Sequence, residues 1–211
     1  MHASGRVSSS AARKVLRAVI ALSSLKTRMD VGSLVVQKPV APSAPEVAAE
    51  AAALARAAAA GDTAATTRLL RLLAPELARV VRGVMGPHSA DLDDAVQQSL
   101  VALVHALPAF RNECSPAGYA CRIAFRTALA VRKRARAAQA REEATELDES
   151  HEQPAPATES TRRTELLRQL LEQLPPDQAE ALAMRTMLGW SLEEIAASSG
   201  VPLNTVRSRL R

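Results

Sequence analysis

Residues 189–211 have the sequence GWSLEEIAASSGVPLNTVRSRLR, which is the pattern of a helix-turn-helix. Ser191 followed three residues later by Glu194 predicts a capping box at the start of the first helix. Gly200 supplies the sharp turn, and the small Ala196 permits the two helices to cross closely. We therefore predict two short helices joined at Gly200.

The second of these helices is basic on the side that faces away from its partner. Val206 and Leu210, four residues apart, define the buried side. The residues left outward have the types that contact phosphates and base edges in the major groove: Asn204, Thr205, Arg207, Ser208, Arg209 and Arg211. The alternative is a helical hairpin with a solvated basic helix, but the agreement of cap, turn and anchors favours DNA binding.

The composition predicts an all-α protein. Hydrophobic residues make up 47% of the 211 residues and aromatic residues only 2%, so the core consists mainly of Leu, Val and Ala. Ala and Leu are the strongest helix formers of this set, and the aromatic residues typical of strands are scarce. A net charge of +5 and a pI near 9.9 favour a polyanionic partner.

Several classes of protein are disfavoured by what the sequence lacks. Cys114 and Cys121 form no ligand cluster with the four histidines, so we expect two reduced thiols, no metal site and no cofactor. There is no nucleophile–base pair or glycine-rich phosphate loop, so we expect no enzymatic activity. No apolar run approaches the ~20 residues of a membrane span, which predicts a cytoplasmic protein without membrane insertion.

Changes in composition divide the chain into four parts. Residues 1–47 are predicted to be a basic, disordered extension, and 141–160 an acidic, disordered linker with prolines. Residues 48–140 and 161–211 have helical periodicity and are predicted to be two small helical modules. Within the first module, Pro75 is expected to split a long run of leucines and valines into two helices.

The last helix of the first module has a strongly cationic face. Ser115 and Pro116 predict its start. At 100° per residue, four basic side chains fall within an arc of roughly 80°: Arg122, Arg126, Lys133 and Arg136. A solvated face normally mixes both signs of charge, so this one favours phosphate binding. By contrast, Asp93, Asp94 and Gln97 on the preceding helix suggest only a solvated helix start.

The two modules together resemble the sigma-70 family of RNA polymerase sigma factors, specifically the extracytoplasmic-function type. DLDDAVQQSLVALVHALPAFR is similar to the polymerase-binding helix of sigma region 2, and SPAGYACRIAFRTALAVRKRAR to its promoter-melting helix. LLEQLPPDQAEALAMR and the helix-turn-helix are similar to region 4. The resemblance covers roughly residues 60–211, apart from the acidic segment.

The resemblance assigns roles to particular residues. It implies that Asp93, Asp94 and Gln97 dock on core polymerase. It implies that Asn204 to Arg211 read the minus-thirty-five element. For the minus-ten element it implies the following residues: Tyr119 (where the family usually has Trp), Arg122, Arg126, Arg132, Lys133 and Arg136. The family's recognition helix continues beyond the position of Arg211, so either the sequence ends inside that helix or the helix is short.

The resemblance therefore predicts a non-enzymatic initiation factor whose partners are core RNA polymerase, promoter DNA and an anti-sigma factor. Two alternatives remain open at this stage. One is a helix-turn-helix regulator that binds duplex DNA without polymerase. The other is a degenerate sigma-like protein that acts as a decoy for an anti-sigma factor.

Overall fold

A computed structural model of the chain describes residues 45–145, 159–186 and 188–211. All regular elements in these ranges are helical, which confirms the predicted all-α fold. Most of the predicted basic extension (1–44) and of the predicted acidic linker (146–158) lies outside the described residues. In the described ranges, no helix has the length and apolar character that crossing a membrane would require.

The first module is a bundle in which a central helix contacts three others. Its elements are α1 (Pro45–Ala59), α2 (Thr63–Met85), α3 (Leu92–Ala106), a 3-10 turn (Leu107–Ala109) and α4 (Pro116–Thr145). Helix α2 packs against α1, α3 and α4. Helix α4 continues to Thr145, past the predicted module boundary at residue 140.

The second module contains the helix-turn-helix and the two helices that precede it. Its elements are α5 (Glu159–Gln173), α6 (Pro176–Thr186), α7 (Leu192–Ser199) and α8 (Leu203–Arg209). Helix α7 packs against α6 and α8, and also against α4 of the first module. The two modules therefore touch in this structure.

The helix-turn-helix forms by the local signals that the sequence contains. Ser191 Oγ accepts a hydrogen bond from the Glu194 N–H at 3.1 Å, and Glu194 Oε2 accepts one from the Ser191 N–H at 2.6 Å. This confirms the predicted capping box. Gly200 ends α7 with φ +67°, a left-handed conformation that glycine adopts without a steric penalty. Val206 anchors α8 in the core with 0% exposure.

The prediction that Pro75 splits the leucine and valine run is wrong. Helix α2 is continuous from Thr63 to Met85 with Pro75 inside it. Pro75 lies on the exposed side, whereas Leu73 and Leu77 on either side of it are buried. Burial of an apolar stripe that continues across Pro75 therefore outweighs the lost hydrogen bond to the preceding turn.

The cost of Pro75 should be measurable. Pro75→Ala restores a backbone N–H in the middle of α2, and proline costs about 3 kcal/mol relative to alanine in a helix interior. The more flexible unfolded chain offsets about 0.4–1 kcal/mol of this gain. We expect the free energy of unfolding, measured by urea titration, to rise by about 2–2.5 kcal/mol.

Pro176→Ala is the matched control for that substitution. Pro176 is the first residue of α6, where a proline removes no helical hydrogen bond. We expect this variant to leave the free energy of unfolding unchanged or slightly lower. Equal effects of the two substitutions would contradict the account of α2.

Candidate nucleic-acid and polymerase interfaces

Helix α4 carries the predicted cationic strip, and its start is built as the sequence indicates. Ser115 Oγ accepts a hydrogen bond from the Gly118 N–H at 3.0 Å, and Pro116 occupies the first helical position. Ala124 and Ala128 are fully buried on the side that faces α2 and α3. The small side chains let α4 lie close to the bundle, which leaves its arginine face pointing away from the first module.

Two arginines of this face converge on one carboxylate of α6. Arg122 Nε lies 2.7 Å from Glu180 Oε1, and Arg126 Nη2 lies 3.3 Å from Glu180 Oε2. The second contact is an ion pair rather than a well-formed hydrogen bond, because Glu180 Oε2 makes no hydrogen bond. The Glu180 side chain is only 5% exposed. Burial raises the pKa of the Glu180 carboxyl, and the charges of Arg122 and Arg126 lower it against that rise.

Two further arginines of α4 pair with acids of α5. Arg132 Nε donates a hydrogen bond to Glu172 Oε1 at 2.8 Å, its Nη2 donates one to Glu165, and its Nη1 donates one to the Met85 carbonyl at 3.4 Å. Arg136 Nη1 donates to Glu172 Oε2 at 3.2 Å. The Arg132 side chain is 10% exposed. A residue predicted to contact DNA is thus enclosed between α4 and α5, whereas the neighbouring Lys133 is exposed.

The remaining predicted residue of this helix, Tyr119, is engaged inside the first module. Its hydroxyl donates a hydrogen bond to the Ala106 carbonyl at 3.1 Å. Its ring centroid lies 5.0 Å from that of Phe110, with a tilt of 50° between the rings. This is a favourable aromatic geometry, and it holds the half-buried Tyr119 ring at the junction of α3 and α4.

The polar edge of α3 is open in this structure. Asp93 and Asp94 are exposed, and Gln97 is half-buried. Asp94 Oδ2 accepts a hydrogen bond from Gln98 Nε2 at 2.5 Å. Asp94, Gln97 and His105 line a shallow surface hollow between α3 and α4. The three residues assigned to polymerase docking therefore lie together, at the positive end of the α3 dipole.

Most polar side chains of α8 and of the residues that follow it are exposed, and one of them pairs with another helix. Asn204, Arg207, Ser208 and Arg211 are exposed and Thr205 is half-buried. Arg207 Nη1 donates a hydrogen bond to Asn204 Oδ1 at 3.3 Å, within α8 itself. Arg209 instead reaches α6, where its Nη2 lies 2.7 Å from Asp177 Oδ2.

Asp177 links the two sets of predicted DNA contacts. Its Oδ2 pairs with Arg209 of α8, and its Oδ1 lies 3.5 Å from Arg126 Nη2 of α4. Its side chain is 52% exposed, as is that of Arg126 at 51%. Such exposed pairs stabilise a structure by about 0–1 kcal/mol each because water screens them. The pairs to Glu180 and Glu172 are the better shielded part of the interface.

Apolar residues of both modules complete this interface. Val84, Cys121 and Phe125 of the first module face Met184 and Leu188 of the second around one small apolar cavity. All five side chains are buried and belong to the same continuous core. Burial of this kind supplies the non-directional part of the attraction between the modules.

The backbones of the two modules approach each other closely at Gly118 of α4 and Ser198 of α7. A Cβ atom at Gly118 would lie 2.7 Å from Ser198 Cα and closer still to the Ser198 carbonyl oxygen. These are backbone atoms that cannot rotate away. Arg122 Nη1 also donates a hydrogen bond to the Ser199 carbonyl at 3.4 Å. The absence of a side chain at Gly118 therefore allows α4 and α7 to cross at this distance.

The acids of the second module are the interface residues that sequence reasoning missed. Glu165 and Glu172 are seven residues apart, and Asp177 and Glu180 are three apart, so each pair lies on one side of its helix. The arginines opposite them are spaced by four: 122 and 126, then 132 and 136. This complementary spacing was the available signal for a contact between the modules.

Comparison with known families matches both modules. The model of sigma-70 region 2 matches residues 69–138, and the model of sigma-70 region 4 matches residues 164–211. The ECF RNA polymerase sigma-E factor of Salmonella typhimurium is 33% identical over 132 residues, which is 58% of this chain and 69% of that protein. The ECF RNA polymerase sigma factor SigD of Mycobacterium tuberculosis is 32% identical over 148 residues, or 66% of this chain and 68% of that protein.

Two solved structures are also similar to this chain. CnrH in complex with the cytosolic domain of CnrY is 24% identical, with a TM-score of 0.48, covering 76% of this chain and 90% of that one. RpoE of Bartonella quintana, in complex with the anti-sigma factor NepR, is 22% identical with a TM-score of 0.40, covering 68% of this chain and 88% of that one.

The enclosed position of Arg132 has a measurable consequence for stability. Arg132→Ala leaves Glu165 and Glu172 without their main partner, and a hydrogen bond to a charged group contributes about 1.5–3 kcal/mol. We expect the free energy of unfolding to fall by that amount in urea titrations followed by circular dichroism. Lys133→Ala, one residue further along and exposed, should change it by no more than about 0.5 kcal/mol. Equal effects would show that Arg132 is not held between the modules.

Proposed function

The chain belongs to the extracytoplasmic-function sigma factors of the sigma-70 family, which bind core RNA polymerase and direct it to promoters, and we propose which of its residues carry each part of that work. The first module provides the polymerase contact and the minus-ten contacts. The second provides the minus-thirty-five contacts. The clustering of Asp93, Asp94 and Gln97 on one open edge of α3 is the observation that carries the assignment of the polymerase contact.

The α3 edge suits a basic partner. The side chains of Asp93, Asp94 and Gln97 provide hydrogen-bond acceptors on α3. Other residues of α3 pack in the core, where Ala95, Leu100 and Leu103 are buried. Substitution of the polar edge therefore leaves the core intact. We assign this edge to contact with core polymerase.

Helix α4 is assigned to the minus-ten element. Four basic side chains lie along one side of α4 and span about 20 Å at 1.5 Å per residue: Arg122, Arg126, Lys133 and Arg136. That spacing suits contacts with successive phosphates. Arg132, at the flank of the same face, belongs to this set once α5 is moved away.

Helix α8 is assigned to the minus-thirty-five element, with different tasks for its arginines. Arg207 is exposed, donates a hydrogen bond to Asn204 and lies about 100° around the helix from the buried Val206. It is placed to reach base edges in the major groove. Arg209 lies on the flank near α6, where a phosphate is the expected partner.

The two alternative functions differ from this one in what they require. A helix-turn-helix regulator acting without polymerase has no need of the region 2 module that matches over residues 69–138. A decoy for an anti-sigma factor would keep both modules and fail to direct transcription. Run-off transcription with core polymerase separates the decoy from an active initiation factor.

We propose further that the protein is not an enzyme, acts in the cytoplasm and is regulated by an anti-sigma factor.

The polymerase contact is tested by charge reversal on α3. Asp94→Arg should weaken binding to core polymerase at least tenfold, because a cation replaces an acceptor at the centre of the edge. Gln97→Ala should weaken it less. Fluorescence anisotropy with labelled sigma factor and purified core enzyme measures the affinity, and circular dichroism should show unchanged helix content.

Glu50→Arg is the control for that experiment. It makes the same change in charge on α1. There the exposed Glu50 accepts a hydrogen bond at Oε1 from Arg68 Nη2 of α2 at 2.9 Å. We expect it to leave the affinity for core polymerase unchanged. Full binding by Asp94→Arg would refute the assignment of the α3 edge.

The tasks of the arginines on α8 are tested by base preference. Arg207→Ala should relax preference at one or two positions of the upstream element, since an arginine on a guanine edge contributes about 1–3 kcal/mol of discrimination. Arg209→Ala should weaken binding to all sequences alike. The measurement is a competition among single-base variants of the promoter, with the sigma factor bound to core polymerase. The reverse result would mean that α8 presents its other side to DNA.

A further inference from the structure

We propose that the polymerase-docking surface extends from the α3 edge onto α4 through Arg134, and that Gln98 positions Asp94 within this surface. The inference deepens the assignment of Asp93, Asp94 and Gln97 made above and rests on it. It adds a cation to the two acids of the edge, and it therefore narrows the kind of polymerase segment that the surface fits.

Arg134 is a basic residue of α4 that lies away from the cationic strip. At 100° per residue it is about 100° around the helix from Lys133 and about 160° from Arg136. It is only about 20° from Thr127, seven residues earlier, and Thr127 lines the hollow between α3 and α4. Arg134 is therefore on the side of α4 that borders the α3 edge, rather than on the side assigned to DNA.

Two hydrogen bonds in series join Arg134 to Asp94 across the two helices. Arg134 Nη2 donates to Gln98 Oε1 at 3.1 Å. Gln98 Nε2 in turn donates to Asp94 Oδ2 at 2.5 Å, one turn earlier on α3. A glutamine can bridge these two groups because its carbonyl oxygen accepts and its amide nitrogen donates. Arg134 Nε also donates to the Ala130 carbonyl at 3.3 Å, so a second contact within α4 orients the guanidinium group.

This bridge orients the carboxylate of Asp94 before a partner binds. Gln98 holds the Oδ2 oxygen, which leaves Oδ1 to accept a hydrogen bond from the partner. A side chain that is already held in one rotamer loses less conformational entropy when the complex forms. Gln98 is thus a positioning residue that acts through Asp94.

The charges of the extended surface follow a fixed order from α3 to α4. Asp93 and Asp94 lie in the first turn of α3, and Arg134 lies on the neighbouring helix beyond Gln98. Asp93, Asp94 and Arg134 are all exposed, so one partner can reach the three of them. Complementary charges select the partner and fix its register. The surface therefore fits a polymerase segment with basic side chains for the two aspartates and an acidic side chain for Arg134.

Charge reversal at Arg134 tests the extension onto α4. Arg134→Glu replaces the cation by an acid that repels the acidic side chain of the partner. We expect it to weaken binding to purified core polymerase by at least about fivefold, measured by fluorescence anisotropy of the labelled full-length chain. Arg134→Lys keeps the charge and should retain most of the affinity. Circular dichroism should show unchanged helix content in both variants.

Arg71→Glu is the matched control for Arg134→Glu. Arg71 is an exposed arginine of α2 in the same module, and the substitution makes the same change in net charge. We expect it to leave the affinity for core polymerase unchanged. A loss of affinity as large as that of Arg134→Glu would show that net charge alone matters, and it would overturn the proposal.

A double-mutant cycle tests the positioning role of Gln98. Gln98→Ala removes the bridge, leaves every charge in place and should weaken binding to core polymerase by about threefold. In a chain that carries Asp94→Ala, Gln98→Ala should have no further effect, because the group through which it acts is gone. Equal losses of affinity in the two backgrounds would refute the positioning role.

Asp94→Arg separates failure of this inference from failure of the assignment on which it rests. Weaker binding by Asp94→Arg with full binding by Arg134→Glu would leave the α3 edge assigned to polymerase and would refute its extension onto α4. If Arg134→Glu instead weakened only the binding of holoenzyme to promoter DNA, Arg134 would belong with the cationic strip. Full binding by Asp94→Arg would refute both the assignment and the inference.

Discussion

Glu180 lies between the guanidinium groups of Arg122 and Arg126, and the relation between the two modules depends on this contact. A carboxylate that is 5% exposed is costly unless cations stand beside it, and both of its cations come from the other module. Removal of both arginines would leave an uncompensated charge in a shielded position. The contact therefore specifies how α6 lies on α4 as well as contributing to its stability. The neighbouring apolar residues, among them Phe125 and Met184, then pack in one arrangement.

Ion pairs between the modules engage several of the arginines that are assigned to DNA. Chain-wide, the net charge of +5 suggests strong attraction to nucleic acid. In the described part of the chain, however, Arg122, Arg126, Arg132 and Arg136 of α4 pair with acids of α5 and α6.

Local signals in the sequence predicted the local structure well. The capping box at Ser191 and Glu194 and the turn at Gly200 depend on residues within a few positions of each other, and each forms as expected. Pro75 was misjudged because a tertiary contact, the packing of Leu73 and Leu77, overrides a local preference. The arc of arginines on α4 was also predictable from helix geometry, but its partners were not. They lie far away along the chain, and periodicity within one helix carries no information about which distant helix it meets.

A distance measurement between the modules tests the observed packing of the second module on α4 most directly. Spin labels would be placed at Arg68→Cys on α2 and Glu193→Cys on α7, both exposed positions, in a chain that carries Cys114→Ser and Cys121→Ala. Pulsed electron paramagnetic resonance of the free protein should give one narrow distance distribution. A broad distribution in the free chain would contradict the account.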